Sequence, residues 1–314
     1  MSSPRRILVT CPQMQRTIEH FRDRLEAAGL VLDLPEVVQA LSESELLQII
    51  DQYDGMIAGD DELTAAVIEK ADRMRVISKW GIGVDGIDQQ AAVARGIVVT
   101  NTPGAFGEEV ADVALGYVLM LARGLHVIDR SVRDGGWAKP VGLSLGGQTL
   151  GVVGLGSIGL ATARRGLAFG LDVLGYDPFE EQRQLARGLG ARPVELAALL
   201  ATSRFVVLCC PLTVENRHLI SATTLAQMRR DAYLINVARG PLVDEAALDE
   251  ALASGVIAGA ALDVFEGEPL PADSPLRARE RTVFGSHNGS NTEAATLRVS
   301  ALAVDNLLRE IDAT

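Results

Sequence analysis

Short apolar runs alternate with amphipathic stretches along the first hundred residues. The runs fall at 7–10, 31–34, 56–58, 76–77 and 97–100, and amphipathic stretches lie at 17–28, 43–51 and 62–71. Helical periodicity between continuous apolar runs predicts helices alternating with buried strands. Gly29 and Gly96 stand where helices should stop. Strands that do not alternate with polar residues predict a parallel sheet covered on both faces. Residues 108–121, after the turn cluster Asn101-Thr102-Pro103-Gly104, are mostly apolar and free of helix breakers, which predicts a buried helix. A glycine-rich passage follows. The alternation then restarts, with runs at 150–153, 173–176, 205–209, 233–237, 260–264 and 283–284. That predicts a second, larger parallel sheet. Residues 293–310 read as one helix with apolar positions at Ala295, Val299, Leu302 and Leu307. The pattern as a whole is that of an α/β protein with two doubly wound parallel-sheet domains.

Composition supports this picture and narrows the function. A length of 314 residues suits about two domains. Hydrophobic residues at 48% supply a globular core, and aromatics at 4% leave its construction to aliphatic side chains. A formal charge of −12 sets the overall field against nucleic-acid and anionic-membrane partners. No apolar run reaches the ~18 residues of a membrane span. The run at 7–11 before Pro12 is too short for a signal-peptide core and reads as a first strand. Three cysteines, with Cys209 and Cys210 adjacent, make no disulfide framework, so the expectation is a reduced, cytoplasmic protein. No residue of the sequence is expected to bind a metal.

The run at 150–153 leads straight into Gly154-Leu155-Gly156-Ser157-Ile158-Gly159, and a helical stretch follows. In a G-x-G-x-x-G turn the first glycine permits the bend. The second lets the backbone approach a pyrophosphate, and the third lets helix pack on strand. The phosphates would rest on the helix N-terminus. The next strand ends at Asp177, 18 residues after Gly159, where a ribose-binding carboxylate belongs. A carboxylate there repels a 2′-phosphate, and Pro178-Phe179 brings no arginine immediately after it, so the expected cofactor is NAD rather than NADP.

Three polar residues close later strands: Arg239 after 233–237, Glu268 after 260–264, and His287 after 283–284. Carboxyl ends of parallel strands share one edge, and ligands bind there. An arginine fork binds a carboxylate, a histidine exchanges a proton near neutrality, and a carboxylate orients that histidine. Hydride transfer to a 2-keto acid needs these three functions.

With these residues the sequence resembles the D-isomer-specific 2-hydroxyacid dehydrogenase family, in its phosphoglycerate dehydrogenase-like branch. The resemblance runs from about residue 57 onward. It rests on Lys79-Trp80-Gly81-Ile82-Gly83-Val84-Asp85-Gly86-Ile87-Asp88, Asn101-Thr102-Pro103-Gly104, the glycine turn, Val237-Ala238-Arg239-Gly240, Leu262-Asp263-Val264-Phe265 with Glu268-Pro269, and His287. It implies a Rossmann cofactor domain (102–289) inserted into a smaller flavodoxin-like substrate domain (1–101 plus 290–314), with the site in the cleft. It implies that Arg239 binds substrate, that His287 is the acid/base and that Glu268 supports it. Asp263 would face the nicotinamide carboxamide, Ser157 and Ile158 the pyrophosphate, and Asp177 the ribose. Cys210 and Pro211 would line the adenosine side, with Cys210 packing rather than reacting. Ile82, Val110, Val237, Ala238 and Gly289 would complete the cofactor site. Lys79, Gly81, Ile82 and Gly83 would join Arg239 at the substrate. The implied partners are a small anionic 2-hydroxy or 2-keto acid and a second copy of the chain, the helix around 110–121 lying near that interface.

Two departures modify the expectation. Asn288 follows the histidine, where the family often has an aliphatic residue; it reads as a polar contact near the cofactor or as a turn residue. Phosphoglycerate enzymes usually place an arginine after the strand at 55–58, whereas this loop is Gly59-Asp60-Asp61-Glu62. Three carboxylates would repel a phosphate if they face the cleft, unless Lys79 or another basic residue compensates. The sequence is also read as ending at the catalytic core, without an appended regulatory domain, which adds to the case against serine-pathway function. Two other functions stay open: a dinucleotide-sensing, co-repressor-like binding protein, and a phosphite- or formate-type dehydrogenase.

Overall fold

Each apolar run becomes a strand of a parallel sheet in the computed structural model, which describes residues 4–312. The chain forms two compact units, one within Met1–Ala105 and Asn291–Thr314, the other Phe106–Ser290.

The first unit holds β1 (Arg5–Val9), β2 (Leu30–Asp33), β3 (Gly55–Ala58), β4 (Val76–Lys79) and β5 (Val98–Thr100), all parallel, in the order β2-β1-β3-β4-β5. Ile7, Leu8, Val9, Met56, Ile57, Val76 and Ile77 are fully buried, because helices cover both faces. Ser42 and Glu45 form a reciprocal capping box at the start of helix Glu43–Ile49, and Thr64 and Asp88 cap Ala65–Lys70 and Gln89–Ala94. The amphipathic stretch at 17–28 is not one helix. It divides into the end of Pro12–Thr17, a 3-10 turn Ile18–His20 and helix Arg22–Ala27. The Thr17 hydroxyl bonds back to the carbonyls of Gln13 and Met14, 3.2 Å each, which favours a break there. Helix Glu293–Ile311 returns to this unit and packs on β3 and β4, where Ser78 Oγ donates to the Ala303 carbonyl at 2.8 Å and Trp80 Nε1 to Ser300 Oγ at 3.0 Å.

The second unit holds β6 (Thr149–Val153), β7 (Asp172–Tyr176), β8 (Arg192–Pro193), β9 (Phe205–Leu208), β10 (Tyr233–Asn236), β11 (Gly259–Leu262) and β12 (Thr282–Phe284). All are parallel, in the order β12-β11-β10-β9-β6-β7-β8. Strand order reverses between β6 and β9, the position at which open α/β sheets bind ligands. The short edge strand β8 has no apolar run to announce it, and a proline is tolerated at an edge. Helix Gly107–Arg123 packs against helix Ser157–Ala168 and buries Val110, Ala114, Leu115, Tyr117, Val118 and Leu121. Helix Leu125–Arg133, which the sequence pattern did not announce, has no fully buried residue. Among the described residues no single helix is long and apolar enough to cross a membrane.

Candidate active site

β6 runs into the glycine turn, and helix Ser157–Ala168 starts inside the motif. Gly154 has φ +90°, and a Cβ there would sit 2.5 Å from the Cys210 amide nitrogen. A Cβ on Gly159 would overlap the Gly154 carbonyl oxygen. Gly156 faces open space, so the chain itself leaves room for a phosphate to approach the backbone and the first-turn N–H groups from Ser157 and Ile158 onward. These residues fit a dinucleotide. Asp177, buried at the end of β7, accepts from the Leu155 N–H at 2.8 Å and from the Phe179 N–H at 2.9 Å. It therefore pins the glycine turn to the next strand, while the second lone pair of each oxygen suits a ribose hydroxyl. The first arginine after it, Arg183, donates to the Asp177 carbonyl at 2.5 Å and pairs with Glu195 at 3.4 Å. Burial pushes the thiols of Cys210 up to about 11 and of Cys209 up to about 12, which suits packing and not nucleophilic chemistry.

The remaining loops leave the same edge of the sheet. After β10, the buried Asn236 donates to the Arg239 carbonyl at 2.8 Å and accepts from the Ala238 N–H at 3.1 Å. This amide braces the turn Val237-Ala238-Arg239, a role the sequence motif contained without revealing. Val237 and Ala238 are buried, and Arg239 Nη1 donates to the Ala238 carbonyl at 2.8 Å. After β11, the buried Asp263 accepts from the Tyr117 hydroxyl and the Gly289 N–H, both at 2.9 Å. Val110 lies against Gly289, 3.5 Å from where its Cβ would stand. A Cβ on Gly285 would overlap both the Asp263 carboxylate and the Tyr117 hydroxyl. Tyr117 and Gly285 escaped the sequence reading; the one signal was an aromatic residue in an otherwise aliphatic helix.

Glu268 and His287 meet. His287 Nδ1 lies 2.8 Å from Glu268 Oε2, and Glu268 Oε1 accepts from the Phe265 N–H at 3.0 Å. The Glu268–Pro269 peptide is cis. His287 has φ +52°, a conformation that residues other than glycine rarely adopt, and its N–H donates to the Asp263 carbonyl at 2.6 Å. The loop of the nicotinamide-facing candidate thus fixes the backbone of the acid/base candidate.

The substrate residues implied by the resemblance lie in the first unit, around the carboxyl end of β4. Gly81 donates its N–H to Thr102 Oγ1 at 3.2 Å, and the half-buried Ile82 and Gly83 carry the amides that Thr102 does not take. Lys79 is buried, and its ammonium donates to the Gly59 carbonyl at 2.7 Å, to Asp60 Oδ1 at 2.8 Å and to the Trp80 carbonyl at 3.4 Å. The acidic loop is not three equivalent carboxylates. Asp61 is buried and accepts from the Leu41 N–H at 2.8 Å, the Gly59 N–H at 2.9 Å and the Thr10 hydroxyl. Its pKa is raised because burial outweighs these bonds and the nearby Lys79 charge. Glu62 accepts from the Glu43 N–H at 2.9 Å and so caps a helix. The expectation that Asp61 repels a phosphate is therefore corrected: it is a turn residue inside the fold, and Asp60 alone of the aspartates is half-exposed.

Residues 115–289 match the family model described as D-isomer specific 2-hydroxyacid dehydrogenase, NAD binding domain. The chain is 38% identical over 306 residues to D-3-phosphoglycerate dehydrogenase of Methanocaldococcus jannaschii, covering 96% of this chain and 56% of that protein. It is 37% identical over 310 residues to glyoxylate reductase of Korarchaeum cryptofilum, covering 96% of this chain and 92% of that one. Its fold is similar to that of D-lactate dehydrogenase from Aquifex aeolicus complexed with NAD and lactic acid, at TM-score 0.87 and 26% identity, covering 98% and 96% of the two chains.

Proposed function

The chain belongs to the D-isomer specific 2-hydroxyacid dehydrogenase family of NAD-dependent oxidoreductases, and from that premise we propose that it interconverts a small, unphosphorylated 2-keto acid and its 2-hydroxy acid. The observation that carries the reading is the His287–Glu268 contact at 2.8 Å, in the loops next to that of Arg239 at one sheet edge. NAD, when bound, supplies or accepts the hydride. The glycine turn and the N-terminus of helix Ser157–Ala168 hold its pyrophosphate, Asp177 its ribose and Asp263 its carboxamide. Val110, Cys210, Pro211, Val237, Ala238 and Gly289 line its path, and Ile82 is assigned to it on the resemblance.

Arg239 binds the substrate carboxylate with its fork and polarises the carbonyl. Glu268 holds the Nδ1–H of His287, which fixes the tautomer and stabilises the imidazolium. In reduction, Nε2 gives its proton to the carbonyl oxygen as charge develops there; in oxidation it takes the hydroxyl proton back. Lys79, Gly81, Ile82 and Gly83 are assigned to the substrate on the resemblance alone. Lys79 supports an unphosphorylated acid, because its donors are engaged by Gly59, Asp60 and Trp80.

The test is NADH oxidation across glyoxylate, hydroxypyruvate, pyruvate, branched and aromatic keto acids, and phosphohydroxypyruvate. The expected result is turnover of an unphosphorylated acid, with His287→Ala lowering kcat at least ~100-fold. Tight NADH binding without any turnover would overturn the reading in favour of a dinucleotide sensor. Preference for phosphohydroxypyruvate would overturn the substrate assignment.

A cytoplasmic homodimer completes the proposal. Three free thiols, two of them buried, support a reducing compartment. The apolar residues of helix Gly107–Arg123 are mostly consumed inside their own unit, so support for a second copy comes instead from Leu125, Val132, Trp137 and Val141, which are exposed on and after the next helix. Light scattering distinguishes dimer from monomer.

A further inference from the structure

Among the described residues, His218 and His287 have positive φ without being glycine, at +53° and +52°. A side chain in this left-handed region is sterically disfavoured and persists only where its surroundings hold it. Both histidines set a ring nitrogen on a glutamate of one short segment after β11. His287 Nδ1 meets Glu268, and His218 Nε2 lies 2.6 Å from Glu266 Oε1. The first pair is assigned to the chemistry; the second has no role in it so far.

Glu266 shares the loop of Glu268, and His218 is tied to the loop of Arg239. Glu266 Oε1 also lies 3.3 Å from Arg217 Nη2, and Oε2 accepts from the Glu245 N–H at 3.4 Å. The Glu266 N–H donates to Glu245 Oε1 at 2.7 Å, at the start of helix Glu245–Ser254. The His218 N–H donates to the Pro241 carbonyl at 2.8 Å, two residues beyond Arg239. Between these ties lies the Phe265–Glu266 peptide. It presses on Gly240, where any Cβ would overlap the Phe265 carbonyl. The N–H of the same Phe265, in the preceding peptide, donates to the Glu268 carboxylate at 3.0 Å. One residue, Phe265, therefore bears on the turn of Arg239 through its carbonyl and on the carboxylate of Glu268 through its N–H. The charged groups around it are Arg217, His218, Glu245, Glu266 and Glu268. Burial, with the charges of Glu266 and Glu268, raises the Glu245 carboxyl, so like charge is crowded there, and the Arg217 guanidinium lies 3.3 Å from Glu266.

We propose that His218 and Glu266 form a positioning pair for the reaction: by fixing the backbone of Phe265 and Glu266 they hold Glu268 against His287 and Arg239 in its turn. This rests on the roles given above to Arg239, Glu268 and His287.

Glu266→Gln and His218→Gly test it. Glycine adopts φ near +53° freely, so the second variant removes the ring and keeps the turn. Each variant is expected to lose about 10- to 100-fold in kcat for keto-acid reduction, the scale of a small misplacement of reacting groups. In NMR titration of the cofactor-free protein, the midpoint of His287 is expected to fall in both, because Glu268 no longer holds its imidazolium. Charge alone predicts otherwise: losing the Glu266 carboxylate lowers that midpoint, whereas losing the His218 ring leaves or raises it. The double variant should cost about as much as the worse single variant, as expected for one unit. Unchanged kcat and His287 midpoint in both variants, with only the melting temperature reduced, would show a structural role and overturn the proposal. Opposite shifts of the midpoint would also overturn it. His287→Ala keeps the two hypotheses apart: near-normal turnover there removes the catalytic reading, whereas an inactive His287→Ala beside fully active Glu266→Gln and His218→Gly removes only the positioning pair.

Discussion

Replacing Tyr117 by phenylalanine deletes one oxygen atom from the interior of the second unit. That oxygen donates to Asp263 Oδ1 at 2.9 Å, and Asp263 is only 3% exposed. Burial and the Asp263 charge raise the Tyr117 phenol, so it stays a proton donor through neutral and alkaline pH. A hydrogen bond to a charged group contributes about 1.5–3 kcal/mol. Two effects place the expected loss in the lower half of that range: phenylalanine costs less to bury than tyrosine, and Asp263 keeps the Gly289 N–H at 2.9 Å. A loss of about 2 kcal/mol lowers the melting temperature of a unit this size by about 4–8 °C. Calorimetry at pH 7 measures it, and NADH titration of the same sample reports whether Asp263 serves the cofactor. A drop below about 1 °C would refute the assignment of the bond as a stabilising one. A clear drop with unchanged NADH affinity would refute the cofactor role of Asp263. Gly285→Ala supplies a cross-check, because its Cβ overlaps both Asp263 and the Tyr117 hydroxyl. Adding Tyr117→Phe to Gly285→Ala should recover part of the loss; simple additivity would mean that the three groups do not share the space.

Arg239→Lys replaces a fork with a point charge, so KM for the keto acid should rise about 10-fold or more while NADH affinity holds; a loss confined to NADH binding would contradict the carboxylate role. Asp61 has a folded pKa raised above its unfolded value, so its contribution is fully present below the ordinary carboxylate range and is lost as pH rises through the folded value. The stability gap between the wild type and Asp61→Asn, from urea melts between about pH 4 and 8, should therefore shrink as pH rises; a gap that widened would contradict the burial argument. Asp177 should keep kcat/KM for NADH above that for NADPH, and Asp177→Ala should narrow the ratio; a wild-type preference for NADPH would remove its role.

Sheets and strand ends were legible because their cause is local. A buried parallel strand needs an apolar run, and residues 205–208 or 233–236 show one plainly. The glycine turn was legible for the same reason, since its backbone demands glycine at Gly154 and Gly159 whatever lies elsewhere. What was illegible depends on partners distant in sequence. Tyr117 and Asp263 are 146 residues apart, and nothing near either announces the bond. Asp60 and Asp61 look alike in sequence, yet Thr10 and Leu41 select one of them for burial. The break after Thr17 depends on where a hydroxyl turns, which periodicity does not register.

A formal charge of −12 leaves the question of how such a chain accepts a pyrophosphate and a carboxylate. At physiological ionic strength charges more than about 8 Å away are largely screened, so the contest is local. Locally, the aspartates at the sheet edges are already bound to donors of their own chain. Asp177 is engaged by Leu155 and Phe179, Asp263 by Tyr117 and Gly289, and Asp61 by Leu41, Gly59 and Thr10. A carboxylate bound to N–H and O–H dipoles presents less field outward than a solvated one and fixes the loop that holds it. Acidic residues therefore serve here as anchors for loops, which leaves backbone N–H groups such as those of the glycine turn to meet a pyrophosphate and, in the function proposed, Arg239 to meet a carboxylate. The excess negative charge sits mainly on exposed surface, where it is screened, while Lys79 and Asp60 neutralise each other at 2.8 Å. Discrimination between one anion and another then falls to local shape and local dipoles rather than to net charge.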